Sequence, residues 1–571
     1  MNGMSGSKTV GTVVGVTNPR EFYFAVTPGE VQLQDIVCVD MKANEADKES
    51  ENTVRVWAKI VEIERINPLF PGEAAQELST QRISAFDTVV SLSREMITAK
   101  CIVLGREAAR GNTFELKPLT YPLQPASSVY LGDPSMVENL IAGDIPDYRK
   151  LRIGHLRGHS EFPAYIDMQA VVARHLGVLA ATGAGKTVTV RKILEEMAFK
   201  TQYPILIFDP HSDYIGLKNI DELKDRVDIY SPMLYLADEE TENIVSLVRD
   251  LSGEELSSPQ ESLLTGVIEL VKESWSANKW KKESLIFRSI YPFVERKYCM
   301  NLDTHHFFCL EEIVRTLEKI RHGDQNSWNQ LKSELDNLQL GTAFEAKNSY
   351  RPVKRQLSKA ARAYRIIKEK SKSRLESIEG AKPLPRVSEI ANIIQKGKIA
   401  IVSLEGYGAH SATIVANLMR QLQDLRLQSK IPRFLTVVEE AHNFVPGASE
   451  NPVPSLEILR DIATEGRKYG MGLVLISQRP SRINSTVLSQ CNSFIILRII
   501  NPADQKFVQD IVESLGEDDA KLLPDLATGE ALLTGECTKF PVLASIEMPR
   551  SVAKHEEEDF VKDFVKHSVE Q

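Results

Sequence analysis

One glycine-rich segment of this sequence has the residue types and spacing of a phosphate-binding loop. Soon after a short apolar stretch, Leu176–Leu179, the chain reads Ala181-Thr182-Gly183-Ala184-Gly185-Lys186-Thr187. Backbone N–H groups in such a loop can surround phosphate oxygens, helped by the positive end of the following helix. The lysine would contact the β- and γ-phosphates of a nucleotide, and the threonine hydroxyl would bind Mg²⁺. The loop, with the next residue Val188, therefore predicts a site for ATP and Mg²⁺.

The loop departs from the pattern G-x-x-x-x-G-K-[ST] at its first position, which is Ala180. Glycine is required there only if the backbone has a positive φ angle, which residues with a Cβ atom rarely adopt. We therefore expect a negative φ at Ala180 and an intact loop.

Two adjacent carboxylates follow the apolar run Phe434–Val438, namely Glu439 and Glu440. ATP hydrolysis needs one acid near the Mg²⁺ shell and another that orients or deprotonates the attacking water. We assign Glu439 to the metal side and Glu440 to the role of base. A strand that runs into a solvated helix is the alternative, and the presence of Lys186 argues against it.

Other polar residues have two interpretations each. Gln478 follows the run Leu473–Ser477 and is either a sensor of the γ-phosphate or a polar residue at a strand end. Asp209 follows Ile205–Phe208 and either lines the same cleft or caps a turn. Arg467, within Gly-Arg-Lys-Tyr-Gly, is either an arginine finger for phosphoryl transfer or part of a basic surface loop.

The elements that position these residues are predicted as strands alternating with helices, which is typical of a parallel sheet covered on both faces. Two later runs, Glu530–Thr534 and Pro541–Ile546, predict a terminal hairpin. The near-continuous apolar runs that predict strands of the sheet are Leu176–Leu179, Ile205–Phe208, Ile399–Leu404, Phe434–Val438, Leu473–Ser477 and Phe494–Ile499. The fold class is therefore α/β, with a RecA-like P-loop ATPase core.

The chain of 571 residues is long enough for several domains. Short apolar runs between turn-forming residues near the start predict a small β-barrel, and a long, charged, helical stretch interrupts the ATPase core. The predicted segments are 1–150 for the barrel, 151–240 and 396–548 for the two parts of the core, 241–395 for an α-helical insertion, and 549–571 for a tail helix.

The composition is that of a globular protein, with 42% hydrophobic and 26% charged residues and a net charge of −9. No apolar stretch is long enough for a signal peptide or a bilayer span, so we expect a cytoplasmic protein without a membrane segment. The negative charge argues against a protein that coats nucleic acid over its whole surface.

A basic segment stands out within this acidic chain. Residues 351–374 contain ten Lys or Arg against one acid, Glu369. A helix with this spacing could follow DNA phosphates, and binding would then weaken steeply with salt. A solvated helix face, balanced by acids from another segment, is an equally good interpretation.

Three motifs add a resemblance to a known family. Together with the phosphate loop, and in this order, they resemble the HerA family of DNA translocases over about residues 8–548: Glu439-Glu440-Ala441-His442, Glu465-Gly466-Arg467-Lys468-Tyr469-Gly470 and Ser477-Gln478-Arg479-Pro480-Ser481. The resemblance implies a homohexameric ring of RecA-like motors, capped by the N-terminal barrels, which threads double-stranded DNA.

The resemblance also implies roles for particular residues. Glu440 matches the catalytic acid, and Arg467 matches a finger that a neighbouring subunit supplies in trans. Arg174 and Asp209 match further family residues at the nucleotide site.

HerA-type motors usually act with an effector, commonly a NurA nuclease in DNA-end processing. In some antiviral defence systems the effector is a sirtuin-like or nuclease protein. The resemblance places such a partner on the barrel, residues 1–150. Two alternatives are a ring scaffold ATPase that mainly assembles an effector, and a conjugation-type secretion ATPase. The absence of a membrane segment and the N-terminal barrel count against the latter.

Overall fold

The computed structural model describes residues 8–27, 29–42, 53–66, 96–110, 113–235, 239–275, 285–289 and 306–551. The chain divides into two compact units. Unit 1 consists of Met1–Val171, Leu176–Lys200 and Asn492–Pro549, and unit 2 of Val172–His175, Thr201–Cys491 and Arg550–Gln571.

The strands lie close to the apolar runs of the sequence. In chain order they are β1 (Thr9–Val14), β2 (Glu21–Val26), β3 (Ile36–Lys42), β4 (Thr53–Ile66), β5 (Met96–Arg110), β6 (Thr113–Lys117), β7 (Ser128–Leu131), β8 (Lys150–Leu156), β9 (His159–Asp167), β10 (Leu176–Leu179), β11 (Ile205–Asp209), β12 (Val227–Ser231), β13 (Ala381–Pro383), β14 (Ile399–Ser403), β15 (Phe434–Val438), β16 (Met471–Ser477), β17 (Ser493–Leu497), β18 (Glu530–Gly535) and β19 (Val542–Ile546).

The helices are α1 (Pro134–Ala142), α2 (Met168–Arg174), α3 (Lys186–Lys200), α4 (Thr241–Ser252), α5 (Ser258–Trp275), α6 (Leu285–Ser289), α7 (His306–His322), α8 (Gln325–Asp336), α9 (Tyr350–Ser377), α10 (His410–Leu427), α11 (Ser455–Tyr469), α12 (Ser485–Leu488), α13 (Pro502–Ile511) and α14 (Glu517–Ala520). Among the described residues, no helix is both long and apolar enough to cross a membrane.

Unit 1 begins with the predicted barrel. Within the described ranges, strands pair in the order β2-β1-β7-β3-β4-β5, and a β2–β5 pairing closes the ring. β6 extends the sheet from β5 as an antiparallel neighbour. Because successive side chains of a strand point to opposite faces, Phe22 and Phe24 of β2 both enter the barrel core, with Val37 and Val39 of β3. The prediction of an N-terminal β-barrel is confirmed.

The second sheet segment of unit 1 holds the strand that leads into the glycine-rich loop. Its order is β10-β17-β18-β19-β8-β9. β10 and β17 are parallel, whereas the following pairs are antiparallel. The predicted hairpin is present as β18 and β19. The hairpin of β8 and β9 was not predicted, because charged residues interrupt the apolar pattern of Lys150–Leu156.

Unit 2 contains a parallel sheet of order β13-β12-β14-β11-β15-β16. β11, β14, β15 and β16 are buried at every position, as expected for strands covered on both faces. The α/β fold class is confirmed. β12 was missed, since Val-Asp-Ile-Tyr-Ser is short and mixes polar with apolar residues.

The predicted insertion, 241–395, is mainly helical, with α4 to α9 over the described part. It also contains β13, which pairs in parallel with β12 and so extends the sheet of unit 2. The boundaries of the five predicted segments stay predictions. The predicted tail helix lies outside the described residues beyond Ser551.

Candidate nucleotide site

The glycine-rich loop of unit 1 joins the end of β10 to the first residue of α3, Lys186. Gly183 and Gly185 have φ angles of 76° and 100°, in the region that favours glycine. Ala180 is buried and is not among the residues with positive φ, as expected for an alanine at this position. The departure from the common pattern at this residue is therefore compatible with the loop geometry.

Backbone contacts from the C-terminal part of unit 1 support the loop. The Ala181 N–H donates to the Arg498 carbonyl at 2.7 Å, directly after β17, and the Gly529 N–H donates to the Ala184 carbonyl at 3.1 Å. A Cβ atom on Gly185 would lie 3.3 Å from the Gly529 nitrogen. Motif spacing did not reveal these supporting residues, because backbone contacts between distant segments leave no side-chain signature.

The loop fits a nucleotide phosphate. N–H groups in the first turn of a helix lack intrahelical acceptors, and the helix dipole favours an anion there. Gly183 is exposed with open space on its Cβ side, while Lys186, Thr187 and Val188 are partly exposed at the start of α3. These residues could hold the phosphates of ATP and its Mg²⁺ ion.

Unit 2 contains the two adjacent carboxylates, directly after β15. Glu439 and Glu440 are 1% and 4% exposed, so both carboxyl groups are removed from bulk water. Glu440 has a left-handed backbone with φ 51° and ψ 49°, which is uncommon for a residue with a side chain. This conformation turns the chain immediately after the strand. Strained conformations of this kind concentrate at functional sites.

A histidine connects Glu440 with the end of the neighbouring strand β16. The His442 Nδ1 lies 3.3 Å from the Glu440 Oε2 and 3.1 Å from the Ser477 Oγ. The Ser477 Oγ also accepts the Arg479 N–H at 3.0 Å. The partly exposed Gln478 stands between these last two residues. Glu440 therefore lies beside His442, which is itself hydrogen-bonded to the strand end before Gln478.

Asp209, at the end of β11, organises the turn that follows it. Its Oδ1 accepts the N–H groups of His211 and Asp213 at 3.2 and 3.0 Å, and its Oδ2 accepts that of Tyr214 at 2.9 Å. Burial raises the pKa of this carboxyl to about 6, although the backbone donors oppose the shift. The geometry matches the turn-capping interpretation.

Tyr214 lies at the end of this turn, and its hydroxyl contacts Glu439, the residue directly after β15. The fully buried phenol donates to the Glu439 Oε2 at 2.5 Å. Burial, together with the nearby carboxylate, raises the pKa of Tyr214 well above its usual value, so the phenol keeps its proton and remains a donor. Tyr214 and Glu439 are 225 positions apart, and sequence reasoning did not connect them.

The remaining predicted site residues lie in unit 2. Arg174 is the last residue of α2. Arg467 is exposed in the last turn of α11 and forms no ion pair with any described residue of its own chain. Thus Lys186 and the loop belong to unit 1, whereas Glu439, Glu440 and the other predicted site residues belong to unit 2.

At least five of the ten basic side chains along α9 are engaged within the described part of the chain. Arg355 and Lys359 both contact Glu254, at 2.8 and 2.5 Å. Lys354 pairs with Glu318 at 2.6 Å. Nearer the end of the helix, Lys370 donates to the Gly406 carbonyl and Arg374 pairs with Glu405. These contacts favour the interpretation of a helix face balanced by acids of other segments.

Comparison with known proteins shows a similarity to one family of helicases. Residues 151–422 match the family model of the central domain of the helicase HerA. The DNA double-strand break repair helicase HerA of Pyrococcus furiosus is 27% identical over 483 residues, covering 79% of this chain and 78% of the relative. These matches relate the chain to HerA-type helicases, with the central domain at residues 151–422.

A further relative matches this chain over nearly the whole length of both proteins. A probable helicase of Methanocaldococcus jannaschii is 27% identical over 556 residues, covering 95% of this chain and 96% of the relative. Among solved structures, VirB4 of Thermoanaerobacter pseudethanolicus is similar with a TM-score of 0.44 and 15% identity, over 71% of this chain and 98% of that chain.

Proposed function

We propose that this chain is an ATP-driven helicase or translocase of the HerA type, which acts on double-stranded DNA as a homohexameric ring. The observation that carries the proposal is the loop at Lys186, whose two left-handed glycines and helix start fit a nucleotide phosphate, in a chain with the HerA central domain. Several relatives are named DNA double-strand break repair helicases, which supports DNA as the substrate.

In this proposal each site residue has one role. Lys186 and Thr187 hold the phosphates and Mg²⁺, Glu439 faces the metal side, and Glu440 accepts the proton of the attacking water. Mg²⁺ held by these residues would supply neutralisation of the charge that develops on the phosphates. Gln478, which directly follows Ser477 at the end of β16, senses the γ-phosphate.

Replacing Glu440 tests the hydrolytic role. Glu440→Gln keeps the shape of the side chain but removes the base, so we expect ATP to bind while kcat falls about 10²- to 10⁴-fold. DNA-stimulated phosphate release and ATP binding are measured in parallel, with Lys186→Ala as the variant that loses binding. A wild-type chain whose ATPase ignores DNA, in a particle of one 63.9 kDa subunit, would contradict the proposal.

Arg467 is proposed to act on the nucleotide of a neighbouring subunit. Its exposed position at the end of α11, without an ion pair to any described residue of its own chain, supports a role in trans. Arg467→Ala and Lys186→Ala should each be inactive alone, and mixed rings should recover part of the activity. If mixing restores nothing, Arg467 does not act across subunits.

An effector protein is proposed to bind the barrel formed by β1 to β5 and β7. A NurA-like nuclease suits DNA-end processing, and a sirtuin-like or other effector suits antiviral defence. Size-exclusion of the chain with the product of each adjacent gene tests this assignment. Loss of the complex on deleting residues 1–131 while the ring persists would support docking on the barrel.

A further inference from the structure

The hydroxyl of Tyr214 lies at the centre of a buried polar chain whose connections no motif of the sequence marks. The chain runs from Asp209 through the backbone of the turn to Tyr214 and then to Glu439. All three side chains are no more than 1% exposed. A buried carboxylate without a hydrogen-bond donor is costly, so a donor placed at this point fixes which way the carboxylate faces.

The turn has a geometry that places this donor. Both carboxylate oxygens of Asp209 accept backbone N–H groups, and Oδ2 accepts that of Tyr214 itself at 2.9 Å. Within the turn, Ser212 has a left-handed φ of 62° and its hydroxyl donates to the Glu405 Oε2 at 2.6 Å. The turn is therefore held at both its acidic start and its middle, and the phenol at its end has little freedom.

The phenol reaches one oxygen of Glu439. The distance of 2.5 Å between the Tyr214 hydroxyl and the Glu439 Oε2 is that of a charge-assisted hydrogen bond, which is stronger than a bond between neutral groups. Held at Oε2, the carboxylate cannot rotate freely about its last torsion. Its neighbour Glu440 follows directly in the chain, so the position of Glu439 also restricts the left-handed residue after it.

We propose that Tyr214 is a positioning residue for the hydrolytic site, which holds the metal-side carboxylate Glu439, and that Asp209 acts by shaping the turn that presents Tyr214. The inference rests on the proposed ATPase function. It gives Asp209 a role different from direct contact with nucleotide, because its carboxylate oxygens are already used by the turn.

Tyr214→Phe tests the proposal by removing one oxygen atom from a side chain that is otherwise unchanged. We expect kcat for ATP to fall about 10- to 100-fold, the loss expected for a hydrogen bond to a charged group. The affinity for a non-hydrolysable ATP analogue without Mg²⁺ should stay the same, while the gain in affinity on adding Mg²⁺ should shrink. Tyr350→Phe is the matched control. Tyr350, the first residue of α9, is equally buried, and its hydroxyl donates to the Phe344 carbonyl at 2.9 Å.

Asp209→Asn tests whether the aspartate shapes the turn or contacts the nucleotide directly. The amide can still accept from His211 and Asp213 but presents a donor to the Tyr214 N–H, so we expect the same loss of kcat. The double variant should lose no more than either single variant, because both act through one hydrogen bond. Weaker binding of the analogue by Asp209→Asn alone would instead indicate direct nucleotide contact.

The outcomes distinguish this inference from the proposed function. A wild-type chain without Lys186-dependent ATPase would overturn both. An active wild type with Tyr214→Phe and Tyr350→Phe equally active per folded molecule would overturn the positioning role and leave the ATPase function standing. A fall in thermal stability of Tyr214→Phe with unchanged kcat and unchanged Mg²⁺ response would show that the phenol is structural.

Discussion

At the scale of single residues, His175 shows how burial adjusts a titratable group. It has a left-handed φ of 58° directly after α2 and is 3% exposed. Its Nδ1 accepts the Leu473 N–H at 2.9 Å, and its Nε2 lies 3.1 Å from the Ala463 carbonyl. The neutral ring with the proton on Nε2 satisfies both contacts, and it joins this short segment of unit 2 to β16 and α11.

This arrangement predicts a loss of stability in acid. Burial lowers the pKa of His175 from 6.5 to about 4, so the folded state favours the neutral ring. The stabilisation is complete above pH 6.5 and is lost as the pH falls through 6.5 to about 4, by about 3 kcal/mol in all. Calorimetry should show wild type more stable than His175→Asn at pH 7, with the difference in transition temperature shrinking toward pH 4. A difference that does not change with pH would contradict this assignment.

At the scale of elements, the two left-handed glycines of the loop should differ in their tolerance of alanine. Gly183 has open space, so Gly183→Ala meets only the backbone strain, about 1 to 2 kcal/mol. Gly185 combines a more extreme φ with a close approach to Gly529. We expect Gly183→Ala to weaken ATP binding about tenfold and Gly185→Ala to weaken it more than 100-fold, a difference that titration of a fluorescent ATP analogue would measure.

A glycine outside the loop provides the control for this comparison. Gly253 follows α4 with a φ of 66° and also has open space on its Cβ side. Gly253→Ala therefore carries a strain similar to that of Gly183→Ala but should leave the affinity for ATP unchanged. Equal loss of ATP binding in all three variants would show that general destabilisation, and not loop geometry, is responsible.

The elements also show which parts of the structure could be predicted from sequence. The apolar runs within β11 and β15 are continuous, and the positions of the acidic residues that follow these runs could be predicted from where the runs end. The bond from Tyr214 to Glu439 joins two turns that are far apart in the chain, and Arg498 supports the loop with a backbone carbonyl. Neither kind of contact has a local pattern, so the outline of the site was predictable while its supporting contacts were not.

At the scale of the whole molecule, the net charge of −9 means that DNA phosphates would have to bind a local basic segment. α9 is the clearest basic segment, but Glu254 already holds two of its cations, Arg355 and Lys359. A phosphate would have to compete with a carboxylate that is part of the fold. We therefore expect α9 to be a structural helix of unit 2 whose paired cations are not the main DNA contact.

Reversing the charges of this pair tests that expectation against salt. Each phosphate contact that is lost should reduce the slope of log affinity against log salt by about one. We expect the double variant Arg355→Glu, Lys359→Glu to have a lower thermal stability, because three acids then face one another. The slope of log affinity for DNA against log salt, measured through DNA-stimulated ATPase, should be unchanged. Adding Glu254→Lys restores opposite charges and should recover stability without altering the slope. A slope reduced by about two in the double variant, and not restored by Glu254→Lys, would instead identify this face of α9 as part of the DNA path.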